Sequence, residues 1–273
     1  MNSDRQAHRP APGAPGTRVE RHDSVGSTNT IAFAKARDGD QGDVWVTANE
    51  QTAGRGRRGR HWESGRGNLF ASYLLVDPAP SPRIGELPLV AALTLAEAID
   101  RAAGTHNLAL LKWPNDLISG GAKLSGILLE AEALANGRFA VVLGFGVNCV
   151  SHPQSALYPC TDLAALGYRV LPEVLFGHLQ DALNRRLLAW RAVNGFEDLR
   201  RAWLARAAHL GQSITVRVGD DVVSGTFLDL DARGHLVLCL ETGERKTVFA
   251  GDVFLPDLQP HGSSGAFPSS GAT

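Results

Sequence analysis

A short internal segment, Gly54-Arg-Gly-Arg-Arg-Gly-Arg60, places four arginines and three glycines in seven consecutive residues. This arginine loop lies between two strand-like apolar runs, residues 44–47 and 68–76, so it belongs to the folded region and not to a tail. Glycine lets backbone N–H groups approach a ligand closely, and each guanidinium adds a permanent charge with a planar fork of donors. The formal net charge of the chain is only −1. The segment therefore predicts a local cationic flap between two strands that closes over an anion.

The arginine loop by itself leaves two interpretations open, a cover for a small-molecule anion and a contact for RNA. It lacks the repetition of low-complexity Arg-Gly segments, which argues against a disordered nucleic-acid-binding tail. No Gly-Lys-Ser or Gly-Lys-Thr ends the loop, so a P-loop nucleoside triphosphatase is disfavoured. The choice between the two interpretations depends on the other motifs.

The length of 273 residues allows one sizeable α/β core with a second, small domain. The hydrophobic content of 44% and charged content of 20% are ordinary for a soluble globular protein. No apolar run approaches the ~18 residues that a membrane span requires, and no apolar signal core follows Met1. Three scattered cysteines, and nine histidines without an H-x-x-x-H pair, match neither a disulfide framework nor a protein-ligated zinc. We therefore expect a cytoplasmic protein with free thiols.

The two ends of the chain are rich in Pro, Gly and polar residues, and we expect residues 1–17 and 259–273 to be disordered tails. Between them helices and strands alternate. Helical periodicity and end signals predict four helices, at residues 27–36, 87–103, from 172 to about 190, and about 196–208. Gly104 is placed to end the second of these. Residues 108–113, 123–129 and 139–147 predict three neighbouring strands of one sheet.

The pattern changes after Gly211, where short alternating strands are separated by tight turns. The predicted strands cover residues 213–218, 222–229, 234–240 and 247–249. About fifty residues of meandering β-structure predict a small barrel of the SH3-like type. We therefore expect a main domain over residues 18–209 and an SH3-like domain over residues 210–258. No helix-turn-helix candidate precedes the main domain, so a DNA-binding role is not expected.

A second dense cluster is Lys112-Trp-Pro-Asn-Asp116, followed by Lys123 on the next predicted strand. Pro114 ends a strand, and Asn115 and Asp116 present polar groups at its tip. The carboxylate of Asp116 could hold Mg²⁺, a cation that prefers oxygen ligands. The ammonium of Lys123 is placed to meet developing negative charge. A surface hairpin with a solvated lysine is the alternative for this cluster alone, but the two clusters in this order favour a site.

A third motif, Gly144-Phe-Gly-Val-Asn148, ends a predicted strand. The third glycine and the opening helix of a dinucleotide fingerprint are missing. Two glycines at a strand end let the backbone lie against a flat ring, and Asn148 could then read an adenine edge. Strand-end glycines followed by a turn asparagine are the alternative interpretation.

Taken together, these segments resemble the motif series of the biotin–protein ligases. The resemblance is carried by Ser27-Thr-Asn29, Gln51-Thr-Ala-Gly-Arg-Gly-Arg-Arg-Gly-Arg60 with Trp62, Lys112-Trp-Pro-Asn-Asp116, Lys123-Leu-Ser-Gly-Ile-Leu128 and Gly144-Phe-Gly-Val-Asn148. It spans roughly residues 18–258 and implies an α+β fold. That fold has a mixed β-sheet flanked by helices, a class II aminoacyl-tRNA synthetase-like catalytic domain, and a small C-terminal SH3-like β-barrel.

The resemblance also implies a two-step reaction that uses ATP, Mg²⁺ and biotin. The biotin carboxylate attacks the α-phosphate of ATP to give biotinyl-5′-AMP and pyrophosphate. A lysine of a biotin carboxyl carrier domain of an acyl-CoA or pyruvate carboxylase then attacks the mixed anhydride and releases AMP. The implied protein is a ligase without a repressor role, and it binds neither nucleic acid nor membrane. It is expected to be a monomer or a weak homodimer.

Residue by residue, the resemblance implies three overlapping sets. The catalytic set is Lys123, Arg57 and Asp116, with Asp116 as the metal ligand. The biotin-binding set is Ser27, Thr28, Asn29, Gln51, Gly54, Arg55, Gly56, Arg57, Lys123 and Gly126. The set for ATP and the adenylate is Arg57, Arg58, Trp62, Lys112, Asn115, Lys123 and Asn148. Ser27, Thr28, Asn29 and Gln51 suit the ureido ring, because a neutral cyclic urea needs donors and acceptors without charge.

Some points stay open at the level of the sequence. Asp162 departs from the small hydroxyl residue that the family usually shows in the run Cys160-Thr-Asp-Leu163. Lys112 and Asp116 are both candidates for the base that deprotonates the acceptor lysine. A lipoate or octanoate ligase or transferase is the nearest alternative, but its pocket would need apolar depth and no urea-reading polar set. A non-enzymatic nucleic-acid-binding module is the alternative from another class, and the absence of aromatic pairs on the predicted sheet argues against it.

Overall fold

The computed structural model describes residues 17–135, 137–154 and 158–254. The predicted tails lie outside the described residues except for Thr17, and so does the end of the predicted SH3-like domain, residues 255–258. Within the described ranges, no helix combines the length and apolar character needed to span a bilayer.

The larger sheet has seven strands in the order β1-β2-β3-β7-β6-β5-β4. The strands are β1 Arg18–Val25, β2 Val44–Gln51, β3 Leu69–Val76, β4 Leu110–Lys112, β5 Asp116–Ser119, β6 Ala122–Ala133 and β7 Phe139–Val147. The sheet is mixed, because β1 runs parallel to β2 whereas the other neighbours are antiparallel. Strand β3, next to the central strand β7, is buried along nearly its whole length, as expected for a strand covered on both faces.

The two faces of the larger sheet are covered by different helices. On one face α1, Thr28–Arg37, packs Phe33 against Val44 and Val46 of β2. On the other face α2, Leu87–Ala103, and α3, Pro172–Arg191, pack with Trp45 of the same strand. Successive side chains of a strand point to opposite faces, so the run Val44-Trp-Val46 serves both layers.

The predicted elements of this region are largely confirmed. Helix α2 ends as expected, because Gly104 adopts the left-handed conformation with φ of 65°. The prediction of three neighbouring strands was wrong in one respect, since β5 lies between β4 and β6. The last predicted helix was too long. Helix α4 is Gly195–Leu204, and the chain beyond it leaves the helix because the Ala208 N–H donates to the Leu111 carbonyl of β4 at 2.8 Å.

The C-terminal sheet contains five antiparallel strands in the order β11-β10-β9-β8-β12. They are β8 Ser213–Val218, β9 Asp221–Leu230, β10 Leu236–Cys239, β11 Arg245–Val248 and β12 Asp252–Phe254. The last strand returns to pair with the first, as in the SH3-like arrangement predicted from the sequence. Ile214 and Phe227 belong to the same apolar core as α2 and α3. The C-terminal sheet is therefore packed against the main layer, and the start of β12 lies beside the arginine loop.

Candidate active site

A cavity lies where the start of α1, the end of β2, the arginine loop and the middle of β6 and β7 meet. Its lining residues are Ser27, Thr28, Asn29, Gln51, Arg55, Gly56, Arg57, Arg60, His61, Trp62, Asn115, Asp116, Lys123, Gly126, Ile127, Leu128, Gly144, Phe145, Gly146, Tyr158 and Asp252. Three motifs that are far apart in the sequence, the arginine loop, the Asn115-Asp116 turn and the glycine-rich strand, thus converge on one space.

One end of the cavity is built from neutral polar groups. The Thr28 N–H and hydroxyl both donate to Gln51 Oε1, at 2.9 and 3.1 Å. The Gln51 amide N–H₂ donates to Ser64 Oγ at 3.1 Å, so the orientation of its side chain is fixed at both atoms. Thr28 in turn accepts from Ser72, at 2.7 Å between the two hydroxyl oxygens. This end offers ordered donors and acceptors without a formal charge.

Beside this polar end, Asn29 connects helix α1 to strand β6. Its amide donates to Glu130 Oε2 at 2.7 Å, and Ser72 Oγ lies 2.6 Å from its Oδ1. The guanidinium of Arg55 donates to the same Glu130 carboxylate, at 3.2 and 3.1 Å. A Cβ on Gly144 would lie only 2.4 Å from Asn29 Oδ1, which explains why this position has no side chain. The first arginine of the arginine loop is therefore already paired.

The indole of Trp62 lies flat against the backbone of β6 and β7. Gly126 and Gly146 are register partners in the two strands. A Cβ on Gly146 would lie 2.7 Å from Trp62 Nε1, and one on Gly126 would lie 3.0 Å from its Cζ3. The two glycines therefore make room for the indole, whereas Gly144, the other glycine predicted to lie against a ring, packs on Asn29. Within the described part of the chain, Trp62 Nε1 is buried and has no hydrogen-bond partner, so a donor is available to a ligand.

The ammonium of Lys123 lies between aromatic rings and one carboxylate. Its Nζ is 2.8 Å from Asp116 Oδ1, 5.4 Å from the ring centroid of Trp62 and 5.1 Å from that of Tyr158. Burial alone would lower the pKa of Lys123, but Asp116 and Tyr158 oppose burial and the net effect raises it. Lys123 therefore keeps its charge at neutral pH in a site that is poor in water.

The remaining arginines of the loop turn toward the C-terminal sheet. Arg57 Nη1 donates to Asn115 Oδ1 at 3.0 Å and to the Gly251 carbonyl at 3.2 Å. The carboxylate of Asp252 lies 3.8 Å from Arg57 Nη1 and 3.2 Å from Arg58 Nη1, and it also pairs with Arg60. Burial lowers the pKa of Arg57, and Asp252 and Asp116 offset part of that effect.

Comparisons with known proteins agree with this geometry. Residues 23–148 match the biotin/lipoate A/B protein ligase family, and residues 209–255 match the biotin protein ligase C terminal domain. The biotin–[acetyl-CoA-carboxylase] ligase of Paracoccus denitrificans is 38% identical over 84% of this chain and 96% of its own length. The chain belongs to the biotin protein ligase family.

Two further members of the biotin protein ligase family support the assignment. The biotin–[acetyl-CoA-carboxylase] ligase of Mycobacterium tuberculosis is 35% identical over 84% of this chain and 85% of its own length. The structure of the Aquifex aeolicus biotin protein ligase in complex with biotin and ATP matches with a TM-score of 0.73 at 24% identity. That match covers 87% of this chain and 97% of that one, and it shows the fold. The predicted α+β class, with a mixed sheet flanked by helices, is therefore confirmed.

Not every residue predicted for a biotin protein ligase lines the cavity. Asn148 is buried behind it, where its amide donates to the Thr161 carbonyl at 3.0 Å. Lys112 lies between the rings of Tyr158 and Phe254, 5.9 Å from each centroid, and burial lowers its pKa. Arg58 points to Asp252. The ATP-binding roles of these three residues stay predictions.

The fourth predicted residue outside the lining is Gly54, which lies at the base of the arginine loop. A Cβ at this position would lie 2.4 Å from Ser64 Oγ and 2.6 Å from the Trp62 carbonyl. Arg55 and His61 pair just beyond it and close the loop into a short hairpin. The absence of a side chain at Gly54 therefore serves the packing of the loop on Ser64 and Trp62.

The residues missed by the sequence analysis include four that contact predicted residues of the site. They are Ser72, Glu130, Tyr158 and Asp252. Glu130 and Ser72 lie on strands, where a single polar residue at a position facing α1 gives no pattern of its own. Only the alternation along β6 and β3, combined with knowledge of what α1 presents, would have indicated them.

No group of three or more His, Cys, Asp or Glu side chains could hold a metal ion within the described ranges. Asp116 lines the cavity, and its Oδ1 lies 2.8 Å from Lys123 Nζ. This donor set suits Mg²⁺, which is commonly held by one or two carboxylates together with substrate phosphates.

Proposed function

We propose that this chain is an ATP-dependent biotin protein ligase that makes biotinyl-5′-AMP and transfers biotin to a lysine of a biotin carboxyl carrier domain. The observation that carries the proposal is the order of groups along one cavity. Neutral donors and acceptors at Thr28 and Gln51 lie at one end, and the cations Lys123 and Arg57 lie at the other. Biotin has the same order, a neutral ureido ring followed by a chain that ends in a carboxylate.

The polar end distinguishes biotin from the other acids of this family. A cyclic urea offers two N–H donors and one carbonyl acceptor, and Ser27, Thr28 and Gln51 can satisfy all three without a charged partner. A buried polar group without a partner costs about 1–3 kcal/mol. The acyl chain of lipoate or octanoate carries no such groups, so it would offer no partner to the lone pairs and N–H groups that the internal hydrogen bonds of this set leave open. Lipoate or octanoate ligation is therefore the second candidate and the weaker one.

Activation of biotin joins two anions, and the cavity lowers the cost of bringing them together. The carboxylate and the α-phosphate would meet between Lys123 and Arg57, where a fixed cation in a water-poor site contributes about 3–4 kcal/mol to the transition state. Asp116 orients the Lys123 ammonium through their 2.8 Å pair. The Trp62 ring, held flat by Gly126 and Gly146, forms a wall that positions the acid for attack. When bound, Mg²⁺ held by Asp116 and the phosphates would neutralise the departing pyrophosphate.

The arginine loop has a second task after activation. A mixed anhydride hydrolyses unless water is kept away from it. Arg55 ties the loop to Glu130 of β6, and Arg57 ties it to Asn115, so the loop closes the space above Lys123 from two sides. We propose that this cover is retained until the carrier lysine arrives. A catalytic unit over residues 18–209, a C-terminal unit over residues 210–258 and a cytoplasmic location are parts of the same proposal.

The test is a panel of acids with the purified protein. Biotin, lipoate and octanoate are each incubated with ATP and MgCl₂, and pyrophosphate release is measured. A biotin carboxyl carrier domain and its Lys→Arg variant at the biotinylation site are then added, and labelled acid on the carrier is counted. We expect pyrophosphate with biotin alone, and label on the wild-type carrier alone. Activation of lipoate or octanoate in place of biotin would overturn the proposal.

A further inference from the structure

A single carboxylate on the C-terminal sheet contacts three arginines of the arginine loop. Asp252 lies within 3.2 Å of Arg58 and 3.8 Å of Arg57, and it also pairs with Arg60. Its side chain is 15% exposed, whereas those of Arg58 and Arg60 are each 42% exposed. The carboxylate is therefore the inner partner, and the loop folds over it.

The position of Asp252 is fixed by the strand that carries it. Strand β12 pairs with β8 in antiparallel orientation, and Asp252 is the register partner of Arg217 in that pair. A Cβ on the preceding Gly251 would lie 2.5 Å from Val216 Cγ1 and 3.0 Å from the Arg217 carbonyl, so the backbone of β12 lies directly on β8. The Gly251 carbonyl also accepts from Arg57 at 3.2 Å. The loop is thus contacted by Asp252 at the start of β12 and by Gly251 directly before it.

The arginine loop itself has little regular structure to hold it. Its tip is a single turn at Arg57–Gly59, in which Arg58 adopts a positive φ of 56° that is uncommon for a residue other than glycine. The pairing of Arg55 with His61 is an isolated bridge. Contacts from outside the loop must therefore supply its order, and at the tip those contacts come from Asp252, Gly251 and Asn115.

The positive and negative charges at the contact between the arginine loop and Asp252 do not balance. Arg55 is neutralised by Glu130, and Lys123 by Asp116. The three arginines at Asp252 share one carboxylate, which leaves an excess of about two positive charges beside the cavity (three guanidinium charges against one carboxylate). The loop is held in place and still attracts phosphate.

From these contacts we propose that Asp252 is a positioning residue that latches the arginine loop over the cavity. The C-terminal sheet thereby sets how long the adenylate is retained before transfer. The retention part of the proposal rests on the function proposed above, whereas the latch itself does not. Asp252 does not touch the reacting atoms in this account, because it acts through Arg57, Arg58 and Arg60.

The first arm of the test requires no substrate. Hydrogen–deuterium exchange is followed by mass spectrometry in peptides covering residues 54–61 of the ligand-free protein. We expect Asp252→Asn, which removes the charge and keeps the shape, to speed exchange in these peptides by about tenfold or more. Asp252→Glu should restore slow exchange, and the exposed turn variant Asp220→Asn should leave it unchanged. Faster exchange throughout β8–β12 would indicate damage to the sheet and would overturn the latch, as would unchanged exchange in Asp252→Asn.

The second arm measures the fate of the intermediate. Biotinyl-AMP is formed from labelled ATP, the carrier domain is added, and adenylate lost to solution is compared with biotin transferred. We expect Asp252→Asn to raise the lost fraction about fivefold to tenfold, a larger change than the slowing of adenylate formation at saturating ATP, because Arg57 keeps its contact with Asn115. A residue that only stabilises the fold would slow adenylate formation and biotin transfer to the same extent. That result would contradict the proposal. If the wild-type protein makes no adenylate, the proposed function fails, and the exchange arm still decides the latch.

Discussion

The contact between Trp62 and Gly146 gives the sharpest test of how the cavity is built. In Gly146→Ala, the new Cβ would lie 2.7 Å from Nε1 and Cε2 of the indole and 2.9 Å from Cζ2. Ordinary contacts of this kind begin near 3.4 Å, so the ring must retreat by about 0.7 Å. The ring cannot sink into the strand, because Gly126 of β6 lies under its other end. The indole must therefore move into the space where the substrates are expected.

The size of the effect follows from two opposing terms. Alanine in a strand is more favourable than glycine by about 0.5–1 kcal/mol, whereas an overpacked contact costs about 1–3 kcal/mol. The free energy of unfolding should therefore fall by about 0–2.5 kcal/mol. A displacement of about 1 Å at a positioning group can cost about 10²-fold in rate. We expect Gly146→Ala to lower biotin-dependent pyrophosphate release by about tenfold to hundredfold in a protein that remains folded.

The assay pairs pyrophosphate release at saturating ATP with urea unfolding of the same preparation. Gly177→Ala is the matched control, because Gly177 lies within α3 and a Cβ there has no heavy atom within 4 Å. It should leave activity unchanged and stabilise the protein by about 0.5–1 kcal/mol, as expected for glycine replaced in a helix. A folded Gly146→Ala protein with wild-type activity would refute the role given to the Trp62 wall.

Three further changes probe other parts of the cavity. Lys123→Ala should slow adenylate formation about 10²-fold or more, as expected for the loss of one transition-state cation. Lys246→Ala, at an exposed position, is the control and should have no effect. Quenched-flow measurement of biotinyl-AMP gives the rate for each variant. In Asp116→Asn the carboxylate no longer opposes the effect of burial, so the pKa of Lys123 should fall. The rate of adenylate formation should then decrease as the pH rises through the lowered pKa. A pH–rate profile identical to that of the wild type between about pH 7 and 10 would count against this role of Asp116. Gly144→Ala should displace Asn29, because the new Cβ would lie 2.4 Å from Asn29 Oδ1. We expect the KM for biotin to rise about tenfold, roughly the effect of one lost hydrogen bond, and the KM for ATP to stay unchanged. Equal changes in both constants would contradict the assignment of Asn29 to the biotin end of the cavity.

Elements with strong local signals were predicted well from the sequence. Helix α2 was predicted with both ends correct, because an amphipathic run is closed by Gly104 in the left-handed conformation. The prediction that the glycines of β7 lie against a flat ligand ring stays a prediction, since Gly146 packs on the indole of Trp62 and Gly144 packs on Asn29. For α2, a short stretch of sequence contains all the groups that determine the outcome.

The missed features depend on contacts between distant segments. Strand β1, Arg18–Val25, was not predicted, because it is an edge strand rich in charged residues and only the pairing with β2 defines it. Asp252 lies 192 residues from Arg60, and nothing in its local sequence indicates that it faces the arginine loop. The burial of Asn148 was also not predicted, because its amide donates to the Thr161 carbonyl of a loop whose course the sequence does not specify; its role at adenine stays a prediction. Tertiary packing decides all three.

The most direct test of the account is a crystal structure of the protein with biotinyl-5′-AMP bound. The account predicts that phosphate oxygens of the adenylate lie at hydrogen-bond distance, about 3 Å, from Lys123 Nζ and the Arg57 guanidinium. The ureido ring should lie against Thr28 and Gln51 at the opposite end of the cavity. An adenylate bound elsewhere, or with its phosphate more than about 6 Å from both cations, would contradict the account.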